Sequence, residues 1–202
     1  MLQPMTALRK SDLIELEDYL ATEANAPVKS EYLAGEVYAM AGCTAVHNQL
    51  AGSLYAAFLA HLKGKPCRTF ISDMKVKLRY DGEDTVYYPD VMVDCSGLAP
   101  DAVLASDPTV VAEVLSQSTE RTDRREKWFL YRNIPALHEY LLVDQARPEV
   151  TVFRRSAHWS AEVLSAPDAV VDIPSIGFRC TVGDIYASIA LPGEPTRPPR
   201  GE

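Results

Sequence analysis

The stretch YYPDVMVDCSG, Tyr87 to Gly97, decides how this chain is read. Val91 and Val93 alternate with Asp90, Met92 and Asp94, the pattern of a half-buried strand, and Pro89 stands where that strand begins. Asp90 then has two readings: a solvent-facing turn residue that accepts hydrogen bonds, or a ligand for a metal ion. A second stretch, TVVAEVLS from Thr109 to Ser116, carries the same tension. Val110, Ala112 and Val114 alternate with Val111, Glu113 and Leu115, so Glu113 points into a face whose other members are large and apolar. A lone ionised carboxylate is costly there, because burial disfavours its charged form. Glu113 either pairs with an arginine or, if Asp90 lies on the neighbouring strand, shares with it a divalent cation that relieves burial and repulsion together.

Working outward, a helix is expected from about Ser11 to Ala24, with Ser11 as N-cap and Leu13, Leu16 and Leu20 on one face. KSEYLAGEVYAM reads as two short strands around Ala34-Gly35, where glycine permits the turn. HNQLAGSLYAAFLAHLKGK places His47, Leu50, Leu54, Phe58 and His61 along a second helix that Gly64 stops. Strands follow at about Arg68 to Ile71, Met74 to Tyr80, Val86 to Asp94 and Thr109 to Leu115. Asp123 and Glu126 have capping-box spacing and open a helix that runs to about Arg132. HEYLLVD is a further strand, and EVTVFRR with WSAEVL forms a hairpin across SAH. Helix, consecutive strands, helix, strand is an α/β chain with α+β-like order, not a doubly wound one. Residues 1–190 are expected to form a single domain, and the proline-rich segment 191–202 a disordered tail.

With 202 residues, 47% hydrophobic and 24% charged, the chain can bury a real core. No apolar run approaches the roughly 18 residues of a membrane helix, and the N-terminal segment carries carboxylates where a signal peptide keeps an apolar region. A cytoplasmic protein with no membrane partner is expected. Cys43, Cys67, Cys95 and Cys180 are scattered without a C-x-x-C pair, so they are expected to be reduced, mostly buried thiols. The net charge of −8 argues against nonspecific coating of nucleic acid but leaves room for a local basic groove. Arg121, Arg124, Arg125, Lys127 and Arg132 crowd one segment, and Lys75, Lys77 and Arg79 alternate along one strand. Such runs are either a solvated surface or a phosphate-binding one. No glycine-rich phosphate loop is present.

Oxygen ligands suit a hard cation such as Mg²⁺, which takes one or two carboxylates and keeps several waters. Lys127 can aim its ammonium at the same place, orienting a water or offsetting charge on a phosphoryl group. Its alternative is a routine ion pair with Asp123, four residues earlier.

YYPDVMVDC, VVAEVLSQSTERTDRREKWFLYRN and HEYLLVD, with EYLAGEVYAMAG, HNQLAGSL and ISDMKVKL, resemble the Uma-like restriction endonuclease family, a branch of the PD-(D/E)XK nuclease superfamily. The superfamily pattern is a proline-aspartate pair, then an acid, any residue and a lysine. Pro89-Asp90 and Glu113 match it, but Leu115 stands at the lysine position, and Lys127 lies where related nucleases carry a lysine displaced to the next helix. The resemblance implies a restriction-endonuclease-like mixed β-sheet flanked by helices, here with an extra C-terminal hairpin. It also implies Mg²⁺ (or Mn²⁺) held by Asp90 and Glu113, catalysis aided by Lys127, and DNA as substrate of a homodimer. His47, Asp73 and Arg124 then become candidates to line the cleft, although the apolar helix face around His47 also suits a core or helix-end histidine, and Asp73 a turn residue. Two other functions fit the residues: a catalytically degenerate nuclease fold that binds nucleic acid or regulates a partner, and a hydrolase for a small phosphoester.

Overall fold

A computed structural model describes residues 13–116, 123–187 and 189–191; the side chains of Asp123 and Arg124 are outside it. The N-cap expected at Ser11, Arg121 and the tail 192–202 all lie outside the described residues. Helix α1 (Leu16–Glu23) starts after Glu15, with Glu17 and Asp18 at its positive end. Strands β1 (Ser30–Leu33) and β2 (Glu36–Ala39) form the expected hairpin, with Ala34 and Gly35 at φ of 48° and 94°. Glycine is required at 35 twice over, since a Cβ would also lie 2.7 Å from the Leu13 Cβ. In α2 (Ala45–Leu62), the Thr44 hydroxyl accepts the His47 N–H as N-cap. Its apolar face buries Leu50, Ala51, Leu54, Phe58 and Leu62.

Next come β3 (Arg68–Ile71), β4 (Lys75–Tyr80) and β5 (Glu83–Tyr87), the last two joined by Asp81-Gly82 with positive φ at both. Strands β6 (Val91–Asp94), β7 (Leu104–Ala105) and β8 (Pro108–Leu115) follow. A π-helical turn, Asp123–Lys127, leads into α3 (Trp128–Tyr131). Then come β9 (Glu139–Asp144), β10 (Val150–Arg154), β11 (Ala161–Leu164), β12 (Val170–Ile173), β13 (Phe178–Thr181) and α4 (Val182–Tyr186), which carries a capping box between Thr181 and Asp184.

The strands make a five-stranded sheet in the order β2-β1-β5-β4-β7, a six-stranded sheet β11-β10-β9-β8-β6-β3 and the pair β12-β13. The larger sheets are mixed, with β4 parallel to β7 and β8 parallel to β9. Strand β8 is central and buried along its whole length, so alternate residues enter two cores. Val110, Ala112 and Val114 face α2 together with Val171, Ile173 and Phe178 of the C-terminal pair. Val111 and Leu115 face Val76, Leu78 and Tyr87 of the first sheet and Tyr131 of α3. Leu16 and Tyr19 of α1 pack with Tyr32 and Val86 of the first sheet in a third, smaller cluster.

Four expectations change. The strand expected from Val86 to Asp94 is two strands in two sheets, broken at Tyr88-Pro89-Asp90, because proline cannot donate to a ladder. Strand β6 is buried on both faces, not half-buried. EVTVFRR and WSAEVL do pair, but they extend the six-stranded sheet, and the separate C-terminal hairpin is β12-β13. Finally, Cys67 and Cys95 form a disulfide and are not free thiols. Arg68 pairs with Asp94 across β3 and β6, which sets the flanking cysteines opposite one another with Cα atoms 4.1 Å apart. Cys43 is exposed, and burial pushes the half-buried Cys180 thiol up to about 11. Leu191 is buried against the α2 core. Among the described residues no helix is long and apolar enough to cross a membrane.

Candidate active site

The antiparallel register Val91 to Ala112 carries one step further to set Asp90 opposite Glu113. The two residues grip each other through the backbone. The Asp90 N–H donates to Glu113 Oε2 at 3.2 Å, and the Val114 N–H donates to Asp90 Oδ2 at 2.7 Å. Each carboxylate is therefore aimed by a main-chain group of the other strand, which is a rigid way to hold two negative charges side by side. The break at Pro89 makes this possible, since it turns Asp90 out of the ladder and leaves its N–H for Glu113.

Glu113 is 3% exposed and Lys127 6%. The Lys127 ammonium lies 3.6 Å from Glu113 Oε1 and 2.8 Å from Glu31 Oε1, above the Tyr87 ring at 5.2 Å from its centroid. The contact with Glu31 is an ion pair without hydrogen-bond alignment, as Glu31 Oε1 has no hydrogen-bond partner among the described residues. Lys127 ends the π-helical turn, a distortion that often accompanies functional residues because it changes side-chain direction. One helical turn later Tyr131 donates its hydroxyl to Glu113 Oε1 at 3.5 Å. Burial first, and the Glu113 charge second, hold the Tyr131 hydroxyl well above its ordinary range, so it keeps its proton and acts as a hydrogen-bond donor to the carboxylate. Tyr87 is raised likewise, by burial and then by Glu31, and its hydroxyl has no hydrogen-bond partner among the described residues.

His47 Nε2 lies 2.9 Å from Asp90 Oδ1. Its position is the first turn of α2, as a helix-end residue, but its ring leaves the apolar face and meets the carboxylate. Asp90, Glu113, Lys127 and His47 are thus brought together. Asp73 is not among them: its side chain is 81% exposed and pairs with Lys29. The side chain of Arg124 lies outside the described residues. Arg132 stacks on Trp128 and Phe129. Leu115 is buried in the core beside Tyr131.

Glu31 went unrecognised in the sequence. It lies in EYLAGEVYAM, a segment that carries the family resemblance, but its partner Lys127 is far along the chain and no spacing rule joins them. Its one local signal is an acid in a strand next to buried Tyr32.

The donor chemistry fits a hard cation. Asp90 and Glu113 offer carboxylate oxygens side by side, and among the described residues no group of three or more His, Cys, Asp and Glu is placed to chelate a metal. An ion held by two carboxylates completes its shell with water, as Mg²⁺ commonly does.

The pattern of the Uma2 family, described as "Putative restriction endonuclease", matches residues 16–183. The chain belongs to the Uma2 family. Two proteins of Synechocystis sp. strain PCC 6803 are similar over most of their length. "Uncharacterized protein slr1290" is 33% identical over 178 residues, 87% of this chain and 92% of that protein. "Uncharacterized protein sll1609" is 34% identical over 149 residues, 70% of this chain and 80% of that protein. Among solved structures, one described as "a putative nuclease belonging to DUF820", from Anabaena variabilis, superposes with a TM-score of 0.70 at 19% identity. It spans 86% of this Uma2 chain and 98% of its own, which establishes a shared fold.

Proposed function

We propose that this Uma2 protein is a metal-dependent endonuclease that hydrolyses DNA phosphodiester bonds, acting as a homodimer. The observation that carries the proposal is the reciprocal grip of Asp90 and Glu113 across β6 and β8, with Lys127 on the Glu113 side. Asp90 and Glu113 would hold Mg²⁺, with Mn²⁺ as its substitute in the assay below; the bound ion would polarise the phosphoryl group and lower the pKa of a water. The Lys127 ammonium would donate a hydrogen bond to the oxygen of the attacking water, orienting it, and offset charge building on the phosphoryl oxygens. Glu31 holds that ammonium within reach of Glu113, and His47 orients Asp90. Two-fold symmetry in a dimer would present one such site to each DNA strand. The lysine that superfamily members place two residues after the acid is replaced by Leu115, whose position is filled by core packing, and Lys127 supplies the ammonium from the helix side.

Calorimetry with Mn²⁺ on the native protein and on Glu113→Gln tests the cation site without knowledge of the substrate. Binding by the native protein, lost in the variant, is expected, together with metal-dependent nicking of plasmid DNA that Glu113→Ala abolishes. A fully active Glu113→Ala protein overturns the proposal.

A second reading, a nuclease fold that binds nucleic acid without cutting it, is favoured by one contact: Lys127 lies closer to Glu31 than to Glu113. It predicts salt-sensitive binding of DNA with no metal-dependent product.

A further inference from the structure

Beside Asp90 lies a second cluster that the hydrolytic chemistry does not use. The ammonium groups of Lys29 and Lys75 lie over the same ring, that of Tyr88, at 5.6 and 5.2 Å from its centroid. Tyr88 is two residues before Asp90 in the chain and is 5% exposed. Its hydroxyl is tied to Glu23 Oε1 at 2.8 Å, and the same oxygen accepts the Ser30 N–H, so the ring is a fixed platform. The cluster is also tied to the site through the β3-β4 loop. Lys29 donates to the Ser72 carbonyl at 3.2 Å, and the Ser72 N–H donates to the Asp90 carbonyl at 3.0 Å. Ser72 holds this bridge at a φ of 57°, a conformation that is costly outside glycine.

Two like charges over one ring repel one another. Lys29 is answered by Asp73, but both side chains are open to water, 43% and 81% exposed, where an ion pair is worth little. Lys75 has no carboxylate within ion-pair distance among the described residues, whereas the next cation on its face, Lys77, is matched by Asp84 at 3.3 Å. In a chain of net charge −8, a pair of ammoniums gathered at the edge of the reaction centre and left largely unneutralised is a place for an anion.

We propose that Lys29 and Lys75, seated on Tyr88, grip a phosphate of the DNA backbone next to the one being cleaved. This rests on the nuclease reading and extends it from the reacting atoms to the substrate. Cation contacts of this kind position the duplex and carry no sequence information. The Asp73 carboxylate competes with that phosphate for Lys29 and sets how tightly it is held.

The test is fluorescence anisotropy of a short DNA duplex titrated with the full chain at several salt concentrations, with Ca²⁺ in place of Mg²⁺. Each phosphate contact contributes about 0.9 to the slope of log affinity against log salt. Lys29→Gln with Lys75→Gln removes that phosphate contact and should lower the slope by about 0.9, and Lys75→Gln alone by part of that. Asp73→Asn should act in the opposite direction and tighten binding, which a loss of folding could not mimic. An unchanged slope in the double variant overturns the proposal, as does binding of an RNA duplex without binding of DNA. If the native protein takes up Mn²⁺ through Glu113 but binds no DNA at low salt, this surface is rejected and the cation site stands. If Mn²⁺ uptake also fails, both are rejected.

Discussion

The two faces of β8 show what the same strand can be asked to do. Toward α2, Val110, Ala112 and Val114 meet the apolar side chains of Leu50, Leu54, Phe58 and the C-terminal hairpin. Toward α3, Val111 and Leu115 are interrupted by Glu113, and around it stand Lys127, Tyr131 and Tyr87. On the first face β8 itself contributes no polar side chain, so what it adds to stability depends on how well side chains fill space. The second must satisfy buried charge, and it does so with residues from β1, β6 and the π-helical turn. The contrast teaches that stability and chemistry are separated by one residue of register, and that a slip of one would turn Glu113 into the apolar core against α2.

The comparison is broken most forcefully on the apolar face. Phe58→Ala should destabilise the fold by about 3–5 kcal/mol in urea unfolding, while any nuclease activity of the remaining folded fraction is unchanged. On the polar face the reverse holds. Lys127→Met should lower the cleavage rate by about 10²–10³-fold, as loss of a charge-stabilising donor does, and methionine keeps the stem packed on Tyr87. A smaller loss in rate than in stability would place Lys127 among the structural residues.

The edge of the same sheet offers a third probe. Thiol titration of the unfolded, unreduced chain should find two reactive cysteines, Cys43 and Cys180, and four after reduction. Cys67→Ser with Cys95→Ser should cost about 3–4 kcal/mol, the loop-closure value for the 28-residue separation. Four thiols without reduction would refute the disulfide.

The smallest effect is expected at Glu139, which is 3% exposed and accepts hydrogen bonds from Ser175. Burial raises its pKa above the ordinary carboxylate value, and the Ser175 bonds only partly offset this. A raised folded-state pKa means that the native state binds the proton more tightly than the unfolded chain. This contribution is therefore fully present below the unfolded pKa and is lost as pH rises through the folded one. Glu139→Gln keeps an acceptor for Ser175 and should flatten that part of the stability profile, measured by urea unfolding across mildly acidic pH.

Much of this was legible in the residues. Alternation in TVVAEVLS placed Glu113 on a buried face, Pro89 marked a strand boundary, and Ala34-Gly35 and Gly64 marked a turn and a helix end. These are local signals, carried by neighbours a few residues apart. The rest was not local. The disulfide needs β3 and β6 to pair, the split of Val86–Asp94 needs two sheets, and Glu31 becomes part of the site only when β1 and the π-helical turn approach each other.

The sequence by itself determined that the chain carries an acid at the head of one apolar strand, an acid within another and a lysine in the helical segment that follows, because side-chain period and chain order are written in consecutive residues. Only the tertiary structure decided that Asp90 and Glu113 face each other, that Glu31 and His47 join them, and that Lys29 and Lys75 share one ring. Those facts depend on strand pairing and loop closure between residues far apart, and no periodicity records which distant partners the folding free energy will bring within a few ångströms.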